Sequence, residues 1–501
     1  MYQKNDELEV TITDQGIDGE GIGKVNGYAL FVKDTVIGDE CKVKIMKAKK
    51  NFAFAKLIEI ITPSEFRVQE KCSVAKQCGG CQLQSMSYEK QLEFKANKVF
   101  NNFKRIGGLD TCQIPMKEII GMDEPYYYRN KTQFPVGRNK DGEIAYGFYA
   151  GRTHSIIETH GCALGMIIDG KDVCKEIMDT IICFMKEEGI EPYDETTGEG
   201  YVRHVLIRVS KSTNQIMVCV MTNSNELPQA DKLVEKLKSI SNMTSISINI
   251  NKTQGNVIMG KRTIHLFGPG YIEDYIGDIK FRISPESFFQ VNSDQVKRLY
   301  DKAIEYAKLE TDTIVWDLYC GIGTISLSMA KEAKKVIGVE IVERAVEDAR
   351  ENATINSIEN VEFLEGAAEE VVPKYFSEND GEECHPDVIV VDPPRKGCDQ
   401  KLLQTMVEMN PDRIVYVSCD SATLARDVAW LKMNGYRLEE VTPVDMFPQT
   451  VHVETVVQLV NIGVKPDYTV RLEVDVDEFY KTVGEEKRHF VKPDQKNKED
   501  K

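Results

Sequence analysis

The sequence lacks a long apolar run and lacks net positive charge, and both absences narrow the class of protein. Nothing in its 501 residues approaches the roughly 18 consecutive apolar residues of a membrane-spanning helix, and no signal peptide opens the chain. We therefore expect a cytoplasmic protein without a membrane partner. The net charge of −17 argues against indiscriminate coating of nucleic acid. Because salt screens charges only beyond about 8 Å, a local basic patch can still bind RNA.

The cysteine content argues against a disulfide framework. The chain has 13 cysteines, an odd number, and no export signal accompanies them. We therefore expect buried thiols, metal ligands and a reactive thiol. A chain of this length exceeds one hydrophobic core, so we expect about two to four domains. The sequence does not specify the oligomeric state, and we expect a monomer.

The N-terminal segment predicts an OB-like β-barrel over residues 1–62. Short alternating segments are separated by glycine-rich turns such as "DGEGIGKVNG", which is typical of a small five-stranded barrel. Between Glu40 and Glu59 lysines occur without any acid, and Phe52 and Phe54 stand among them. A basic groove with aromatic side chains suits single-stranded nucleic acid. The alternative is a solvated lysine face with both phenylalanines in the barrel core.

Three further segments follow. Residues 63–265 mix helical and strand patterns and predict a central α+β domain, which opens with an amphipathic helix over residues 87–106. The apolar face predicted for that helix consists of Leu92, Ala96, Val99, Phe103 and Ile106. Residues 266–462 alternate strand, glycine loop, helix and strand, which predicts a doubly wound, Rossmann-like α/β domain. Residues 463–501 form a charged tail that we expect to be disordered.

A cofactor loop is predicted within "TIVWDLYCGIGTISLSMA". Gly321 and Gly323 let the backbone approach a ligand closely, and Glu340, which ends the next predicted strand, can bind both hydroxyls of a ribose. NAD loops carry a third glycine where this chain has Ser326. S-adenosylmethionine (SAM) has no phosphate to cradle, and Asp392 in "PDVIVVDPPRKG" adds a stiff polar edge beside the pocket. These features favour SAM over NAD, with a purely structural fold as the remaining alternative.

Cys419 stands between the predicted strand "RIVYVS" and a helix. Ligands of open α/β sheets bind beyond the carboxyl ends of strands, so its thiol is expected to face the pocket. The helix N-terminus would lower the pKa of the thiol, an effect that Asp420 opposes. A thiolate beside a methyl donor suggests uracil methylation: addition to carbon 6 makes carbon 5 nucleophilic, and a base then removes the carbon 5 proton. Glu454, at the start of an apolar strand, is the candidate base. The alternatives are a structural cysteine and a surface glutamate.

Four other cysteines form a metal-binding pattern. Cys72, Cys78 and Cys81 are spaced C-x5-C-x2-C, and Cys162 follows much later. Four thiolates bind either zinc or an iron–sulfur cluster, and the glycines between Cys78 and Cys81 favour a tight turn around a metal. The spacing of the cysteines does not distinguish zinc from an iron–sulfur cluster. His154 and His160, which lie near Cys162, keep a mixed zinc site possible, and isolated buried cysteines are the alternative.

Together these motifs resemble the RNA uracil-5-methyltransferases, specifically their 23S ribosomal RNA branch. "SFFQVN", "DLYCGIG", "DPPRKG", "VSCDSATLARD" and "DMFPQTVHVE" occur in that family's order over roughly residues 1–460. The resemblance implies a class I SAM methyltransferase domain, an N-terminal TRAM domain that binds RNA, and conversion of a uridine of 23S rRNA to 5-methyluridine. It implies Cys419 as nucleophile and Glu454 as base. The SAM contacts that it implies are Gln290, Tyr319, Glu340 and Asp392. It also implies a [4Fe-4S] cluster on Cys72, Cys78, Cys81 and Cys162.

Three residues depart from the family pattern: Asp420 and Ser421 stand where asparagine and proline are usual, and Gln449 replaces a common histidine. None of them removes a reacting group.

Three other functions compete with methylation of 23S rRNA. The same reaction on the T loop of tRNA is the nearest. An RNA-binding ribosome-assembly factor without catalysis leaves Cys419 and Glu454 unexplained, and a small-molecule methyltransferase leaves the basic barrel unexplained.

Overall fold

The computed structural model describes residues 2–463 except 152, 160 and 380–383. The predicted charged tail therefore lies outside the described residues, apart from Gly463. No described helix is long and apolar enough to cross a membrane. All 13 cysteines lie in the described part of the chain, and each is a free thiol. The predicted domain boundaries stay predictions.

The N-terminal residues form a closed barrel of five strands in the order β1-β2-β3-β5-β4. Its strands are β1 (Glu7–Gln15), β2 (Gly21–Val25), β3 (Tyr28–Val32), β4 (Glu40–Ala48) and β5 (Phe52–Thr62). Strand β2 lies inside the stretch that the sequence predicts as a turn. Side chains at Gly21 and Gly23 would clash with Thr35 and Val10, so these glycines mark close packing in a small barrel.

The phenylalanines of the basic segment lie outside the barrel core. Phe54 is 43% exposed, and its ring lies 5.6 Å from that of Phe52 and 5.7 Å from that of Phe31, measured between centroids. The core is formed instead by small and branched residues such as Val43 and Ala53. The alternative that placed both phenylalanines in the core is therefore wrong, and the three rings form an aromatic surface on the barrel.

The central part of the chain contains a mixed seven-stranded sheet in the order β14-β13-β12-β11-β6-β7-β8. It comprises β6 (Lys131–Arg138), β7 (Ile144–Tyr149), β8 (Ile156–Glu158), β11 (Val202–Val209), β12 (Ile216–Thr222), β13 (Met243–Ile250) and β14 (Arg262–Phe267). Between and beside these strands lie α1 (Tyr88–Arg105), β9 (Ile167–Ile168), β10 (Lys171–Asp172), α2 (Val173–Glu188) and α3 (Ala230–Lys238). The last strand runs past the predicted boundary at 265.

The C-terminal part of the described chain is a doubly wound sheet in the order β19-β18-β17-β20-β21-β23-β22. After the hairpin β15 (Ile272–Ile276) and β16 (Ile279–Ile283), the elements are α4 (Ser293–Ala307), β17 (Ile314–Leu318), α5 (Thr324–Ala330), β18 (Lys335–Glu340), α6 (Glu343–Ile355), β19 (Val361–Glu365), α7 (Ala368–Glu378), β20 (Val388–Val391), α8 (Gln400–Met409), β21 (Arg413–Ser418), α9 (Ser421–Met433), β22 (Tyr436–Val444) and β23 (Glu454–Asn461). Strands β17 to β21 are parallel, and β23 is antiparallel to both of its neighbours. Central strands such as β20 are buried throughout, as expected for a parallel sheet covered on both faces.

The first helix has a polar buried face that the apolar pattern did not predict. Val99 and Phe103 are buried as expected, but Ile106 is 50% exposed. The other buried side chains of α1 are Gln91 and Lys95. They are buried because they bind a loop of the C-terminal sheet, so the sequence-based face for this helix is rotated from the observed one.

Lys95 makes a fully buried ion pair with Asp445 in the loop between β22 and β23. The Lys95 Nζ and Asp445 Oδ1 atoms are 2.5 Å apart, and neither side chain is exposed. Tyr88 donates a hydrogen bond to Asp445 Oδ2 at 3.0 Å, and Lys95 donates one to the carbonyl of Phe447 at 3.0 Å. The pair therefore joins α1 to the loop that leads into β23.

Removing one member of this pair should cost more stability than removing both. Asp445→Asn leaves the ammonium of Lys95 buried without a counter-charge, which typically costs about 3–5 kcal/mol, whereas apolar replacement of both partners is often neutral. We expect Asp445→Asn to unfold at lower urea concentration than the double variant Lys95→Met, Asp445→Leu. Trp316 and Trp430 provide the fluorescence signal because both belong to the core of the C-terminal sheet. Equal loss in the two variants would contradict the coupling.

Candidate active site

The carboxyl ends of neighbouring strands bring most of the predicted site residues to one edge of the sheet. Leu318 pairs with both Val339 and Val391, so the residues that follow β17, β18 and β20 lie side by side. Ser418 pairs with Thr455, and the next register position joins Cys419 to Glu454. The predicted residues at this edge are Tyr319, Glu340, Asp392, Cys419 and Glu454.

The loop after β17 has the backbone of a ligand-binding turn. Gly321 and Gly323 have φ values of 57° and 81°, and Tyr319, with φ of 76°, shares this left-handed region. Glu340 holds the loop, because its Oε2 accepts a hydrogen bond from the Gly321 amide at 3.1 Å and its Oε1 accepts one from the Val342 amide at 2.9 Å. The half-buried Glu340 carboxylate therefore lies at the glycine turn, as the ribose interpretation requires.

Two buried carboxyl groups have raised pKa values at this edge. Burial raises the pKa of Asp392 to about 7, and the nearby charge of Asp317 adds to the effect. Burial, and then the charge of Asp392, raises the pKa of Glu454 well above its usual value, while Arg395 acts in the opposite direction. Glu454 is 3% exposed, and its Oε2 has no hydrogen-bond partner among the described residues. A buried carboxyl oxygen without a partner is available to bind or abstract a proton.

Cys419 is half-buried beside these carboxyl groups. Burial, and then the charges of Glu454 and Asp392, raise the pKa of its thiol to about 11, while Arg395 acts in the opposite direction. The expected lowering by the helix is therefore wrong for the free protein. Burial is the main reason, and Asp420 removes the opposing effect of the helix because it caps α9: its Oδ1 accepts hydrogen bonds from the amides of Ala422 at 2.9 Å and Thr423 at 3.3 Å. These helix donors serve Asp420 rather than the thiol.

The residues that depart from the family pattern make specific contacts. Ser421 accepts a hydrogen bond from Asn102 of α1 at 2.8 Å. Gln449 exchanges two hydrogen bonds with Gln91, both at 3.0 Å. Together with the cap formed by Asp420, these contacts fix the loops around Cys419 and Glu454, so the departures are compatible with an ordered site.

Gln290 lies in the segment that enters α4. It is 5% exposed, and its carbonyl accepts a hydrogen bond from Asn130 at 2.9 Å. Nearby, Asn292 donates to the carbonyl of Met446 at 3.0 Å. The segment therefore lies against the loop that leads to Glu454, and a contact between Gln290 and SAM stays a prediction.

The four cysteines of the metal-binding pattern line one cavity of about 280 Å³, although Cys162 is distant from the others in sequence. The charges of Cys162 and Cys72 act on the thiol of Cys78, whose pKa is raised mainly by burial. The described residues contain no group of three or more donors arranged to hold a single metal ion. The cavity thus gathers the four thiols, and the bound metal stays a prediction. His160 of the mixed zinc alternative lies outside the described residues.

Sequence reasoning missed two charged residues of the site. Asp317 is fully buried in β17, accepts a hydrogen bond from Ser326 at 2.5 Å, and acts on Asp392 through its charge. Arg395 supplies positive charge to both Cys419 and Glu454. Arg395 belongs to the motif "DPPRKG", whose position after a strand was the available signal, whereas nothing in the pattern distinguished Asp317 from an ordinary strand residue.

Comparisons with known proteins now identify the family. Residues 212–462 match the family model described as tRNA (Uracil-5-)-methyltransferase, and residues 3–58 match the TRAM domain. An uncharacterized RNA methyltransferase of Clostridium acetobutylicum is 48% identical and covers 91% of this chain and 97% of its own length. The chain belongs to the RNA uracil-5-methyltransferase family. Another uncharacterized RNA methyltransferase of the family, from Bacillus cereus, is 46% identical over 91% of this chain and 96% of its own.

A solved structure confirms the fold and the cofactor class. The tRNA (uracil-54, C5)-methyltransferase of Pyrococcus abyssi, in complex with S-adenosyl-L-homocysteine, matches with a TM-score of 0.71 and 29% identity, over 90% of this chain and all of that one. S-adenosyl-L-homocysteine is SAM without its methyl group. The predictions of a TRAM barrel, a Rossmann-like methyltransferase domain and SAM rather than NAD are therefore confirmed at the level of the family. Catalytic activity as an RNA methyltransferase follows from the same membership.

Cys419 of the free protein should react slowly with iodoacetamide at neutral pH. Only the thiolate is alkylated, and the thiol pKa is raised to about 11, so the rate should rise toward that pH. Glu454→Gln removes a negative charge and should move the midpoint to lower pH. Peptide mass spectrometry over a pH series measures alkylation of Cys419, with the exposed Cys112 as internal reference.

The matched control is Glu408→Gln, which changes an exposed carboxylate of α8. This control should leave the Cys419 midpoint unchanged. An identical midpoint in wild type and Glu454→Gln would show that the carboxyl group does not act on the thiol.

Proposed function

We propose that this protein converts a uridine of 23S rRNA to 5-methyluridine, with Cys419 as nucleophile and Glu454 as base. A cytoplasmic location is part of the same proposal. The 23S substrate is supported by the motif order and by the TRAM barrel combined with the four-cysteine pattern. The residues proposed to contact SAM are Gln290, Tyr319, Glu340 and Asp392.

The observation that carries the proposal is the juxtaposition of Cys419 and Glu454. Cys419 directly follows β21 and Glu454 begins β23, and the last pair of these two strands, Ser418 and Thr455, comes immediately before that position. The charge of Glu454 raises the pKa of the Cys419 thiol. One carboxyl oxygen of Glu454 has no hydrogen-bond partner among the described residues. A nucleophile and a base beside a methyl-donor site are the groups that methylation of carbon 5 requires.

The chemistry follows from these two side chains. SAM, when bound, supplies the methyl group as an electrophile. The Cys419 thiolate adds to carbon 6 of uracil, and the displaced electron pair makes carbon 5 nucleophilic enough to take that methyl group. The Glu454 carboxylate then removes the proton from carbon 5, and the electron pair of that bond restores the ring double bond as the sulfur leaves. The target base must leave its stack to reach the thiol.

Arg395 supports the ionised forms that this sequence of steps needs. Both the thiol and the carboxyl group have raised pKa values, so ionisation of each is less favourable than in a solvent-exposed side chain. The guanidinium of Arg395 lowers the pKa of each. We infer that Arg395 favours the ionised forms that the proposed reaction needs.

The same reaction on tRNA is the second candidate. The matching family model carries a tRNA name, and the Pyrococcus abyssi enzyme is named for uridine 54 of tRNA. The proposed chemistry at Cys419 would be the same on either RNA. An experiment on the RNA itself is therefore needed to separate them.

A Glu454→Gln variant should trap the RNA that the protein recognises. Without the base, the carbon 5 proton stays and the sulfur cannot leave, so a covalent protein–RNA adduct accumulates in the presence of SAM. We expect a retarded band on a denaturing gel with an unmodified 23S rRNA transcript, and no such band with unmodified tRNA. A band with tRNA alone would establish the second candidate instead.

Two controls define this outcome. Cys419→Ala should bind the transcript yet form no adduct and transfer no labelled methyl group. Wild type should transfer labelled methyl to the same transcript that Glu454→Gln traps. Methyl transfer by Cys419→Ala would reject the nucleophile, and absence of transfer by wild type to either RNA would favour a non-catalytic RNA-binding role.

The cysteine cavity is the proposed site of a metal group. Its four described thiols line one shared volume of about 280 Å³. Four thiolates bind either zinc or an iron–sulfur cluster. The resemblance to the ribosomal RNA branch favours the cluster, and we propose a [4Fe-4S] cluster as a structural group on Cys72, Cys78, Cys81 and Cys162.

Metal analysis of protein prepared without oxygen distinguishes the two metals. We expect about four irons with acid-labile sulfide per chain, in line with the cluster formula, and little zinc. Cys81→Ala should lose most of the iron. Cys219→Ala, which changes a buried thiol of β12 outside this cavity, should retain it. One zinc and no iron in wild type would establish the zinc alternative.

A further inference from the structure

A second cavity lies in the central sheet and has no part in the proposed methyl transfer. It measures about 470 Å³ and lies among residues of β6, β7, β8 and β11 and the loop before β11. We call it the aromatic pocket because Tyr149, His154, Tyr193 and His204 line it, together with Arg203. Cys419 and Glu454 belong to a different sheet, so the aromatic pocket is distinct from the methylation site.

The walls of the aromatic pocket are flat. The rings of Tyr149 and His154 are stacked, with centroids 5.0 Å apart and planes inclined by 19°. The guanidinium of Arg203 lies 4.5 Å from the centroid of Tyr193. Aromatic rings and guanidinium planes of this kind are the surfaces on which proteins stack unpaired nucleobases.

Two buried nitrogen atoms of the pocket lack partners within the described part of the chain. His204 is 7% exposed, and its Nδ1 makes no hydrogen bond, while its Nε2 lies 3.4 Å from the hydroxyl oxygen of Tyr149. Arg203 is 4% exposed, and its Nε is also unpaired. Buried polar atoms without partners are rare, and both of these belong to residues that line the pocket.

The pocket offers a neutral histidine and side chains of both charges. Burial lowers the pKa of His204 to about 4, so at neutral pH its ring carries one donor nitrogen and one acceptor nitrogen. One guanidinium nitrogen of Arg203 is already bonded to the carbonyls of Asn251 at 2.9 Å and Thr253 at 2.7 Å. Asp194 and Glu195 line the pocket together with Arg138 and Lys140. A neutral base with donor and acceptor edges suits this mixed lining.

We propose that the aromatic pocket binds an unpaired nucleobase of the RNA substrate, other than the base that is methylated. This inference rests on the proposed function, because it takes the ligand from the RNA that the active site acts on. A second extruded base would fix the register of the RNA, so that one particular uridine reaches Cys419. The pocket would then contribute to the choice of uridine rather than to the chemical step.

The test compares a variant that removes the ring with one that keeps it. Tyr149→Ala should weaken binding of the methylated transcript by between about 5- and 100-fold, the usual effect of losing one base–aromatic stack, whereas Tyr149→Phe should bind nearly as wild type. The loss should appear in Kd and KM, with kcat unchanged, because the reacting groups are untouched. Tyr201→Ala, which removes an exposed tyrosine outside the pocket, is the matched control.

A second measurement on wild-type protein needs no variant. A transcript carrying photoreactive thiouridine should form cross-links to peptides that contain Tyr149 or Tyr193, detected by mass spectrometry. Wild-type binding by Tyr149→Ala, or cross-links confined to other parts of the chain, would overturn the proposal. If wild type methylates the transcript while Tyr149→Ala behaves normally, only the pocket proposal fails; if wild type methylates no RNA, the proposed function itself fails.

Discussion

The buried ion pair between Lys95 and Asp445 is the interaction on which the geometry of the site depends. Glu454 follows Asp445 by a short loop, and that loop has no regular hydrogen-bond ladder of its own. The pair fastens the loop to α1 at one end, and Gln91 holds Gln449 further along. Because an unpaired buried charge destabilises the folded protein, the loop is held in the position that pairs Asp445 with Lys95. Glu454 therefore enters β23 at a fixed register, beside Cys419.

That fixed register places buried acidic groups close together, which raises their pKa values. Three acidic groups, Asp317, Asp392 and Glu454, are brought to one edge of the sheet with little solvent, and each opposes the ionisation of its neighbour. The thiol of Cys419 shares this environment, so its pKa rises instead of falling. A thiol that stays protonated is a poor nucleophile and is protected from oxidation. In the proposed mechanism, a bound ligand must therefore change the balance of charge before the Cys419 thiol can attack a base.

The sequence predicted which residues meet at one edge of the sheet better than it predicted the contacts that hold them there. Strand ends are visible as transitions from apolar to polar residues, so Glu340, Asp392 and Cys419 could be assigned to one edge. The buried face of α1 was misassigned because Gln91 and Lys95 are buried by partners more than 300 positions away, which local periodicity cannot show. Strand β2 was missed because its glycines serve packing rather than a turn. The raised pKa of Cys419 was not predicted because it arises mainly from burial and from the charges of Glu454 and Asp392, which only the tertiary fold brings to the thiol.

The segment that carries Cys78 and Cys81 connects two surfaces that would face RNA. The amide of Gly79 donates a hydrogen bond to the carbonyl of Tyr149 at 3.1 Å, in the strand that forms one wall of the aromatic pocket. The amides of Gln82 and Leu83 donate to the carbonyl of Gln449 at 3.1 and 3.0 Å, in the loop that leads to Glu454. A group that holds the cysteines rigid would thus hold both surfaces in register with each other. In the proposed function, a metal group on these cysteines would align a guiding base with a reacting base by stiffening the connection between the two sheets.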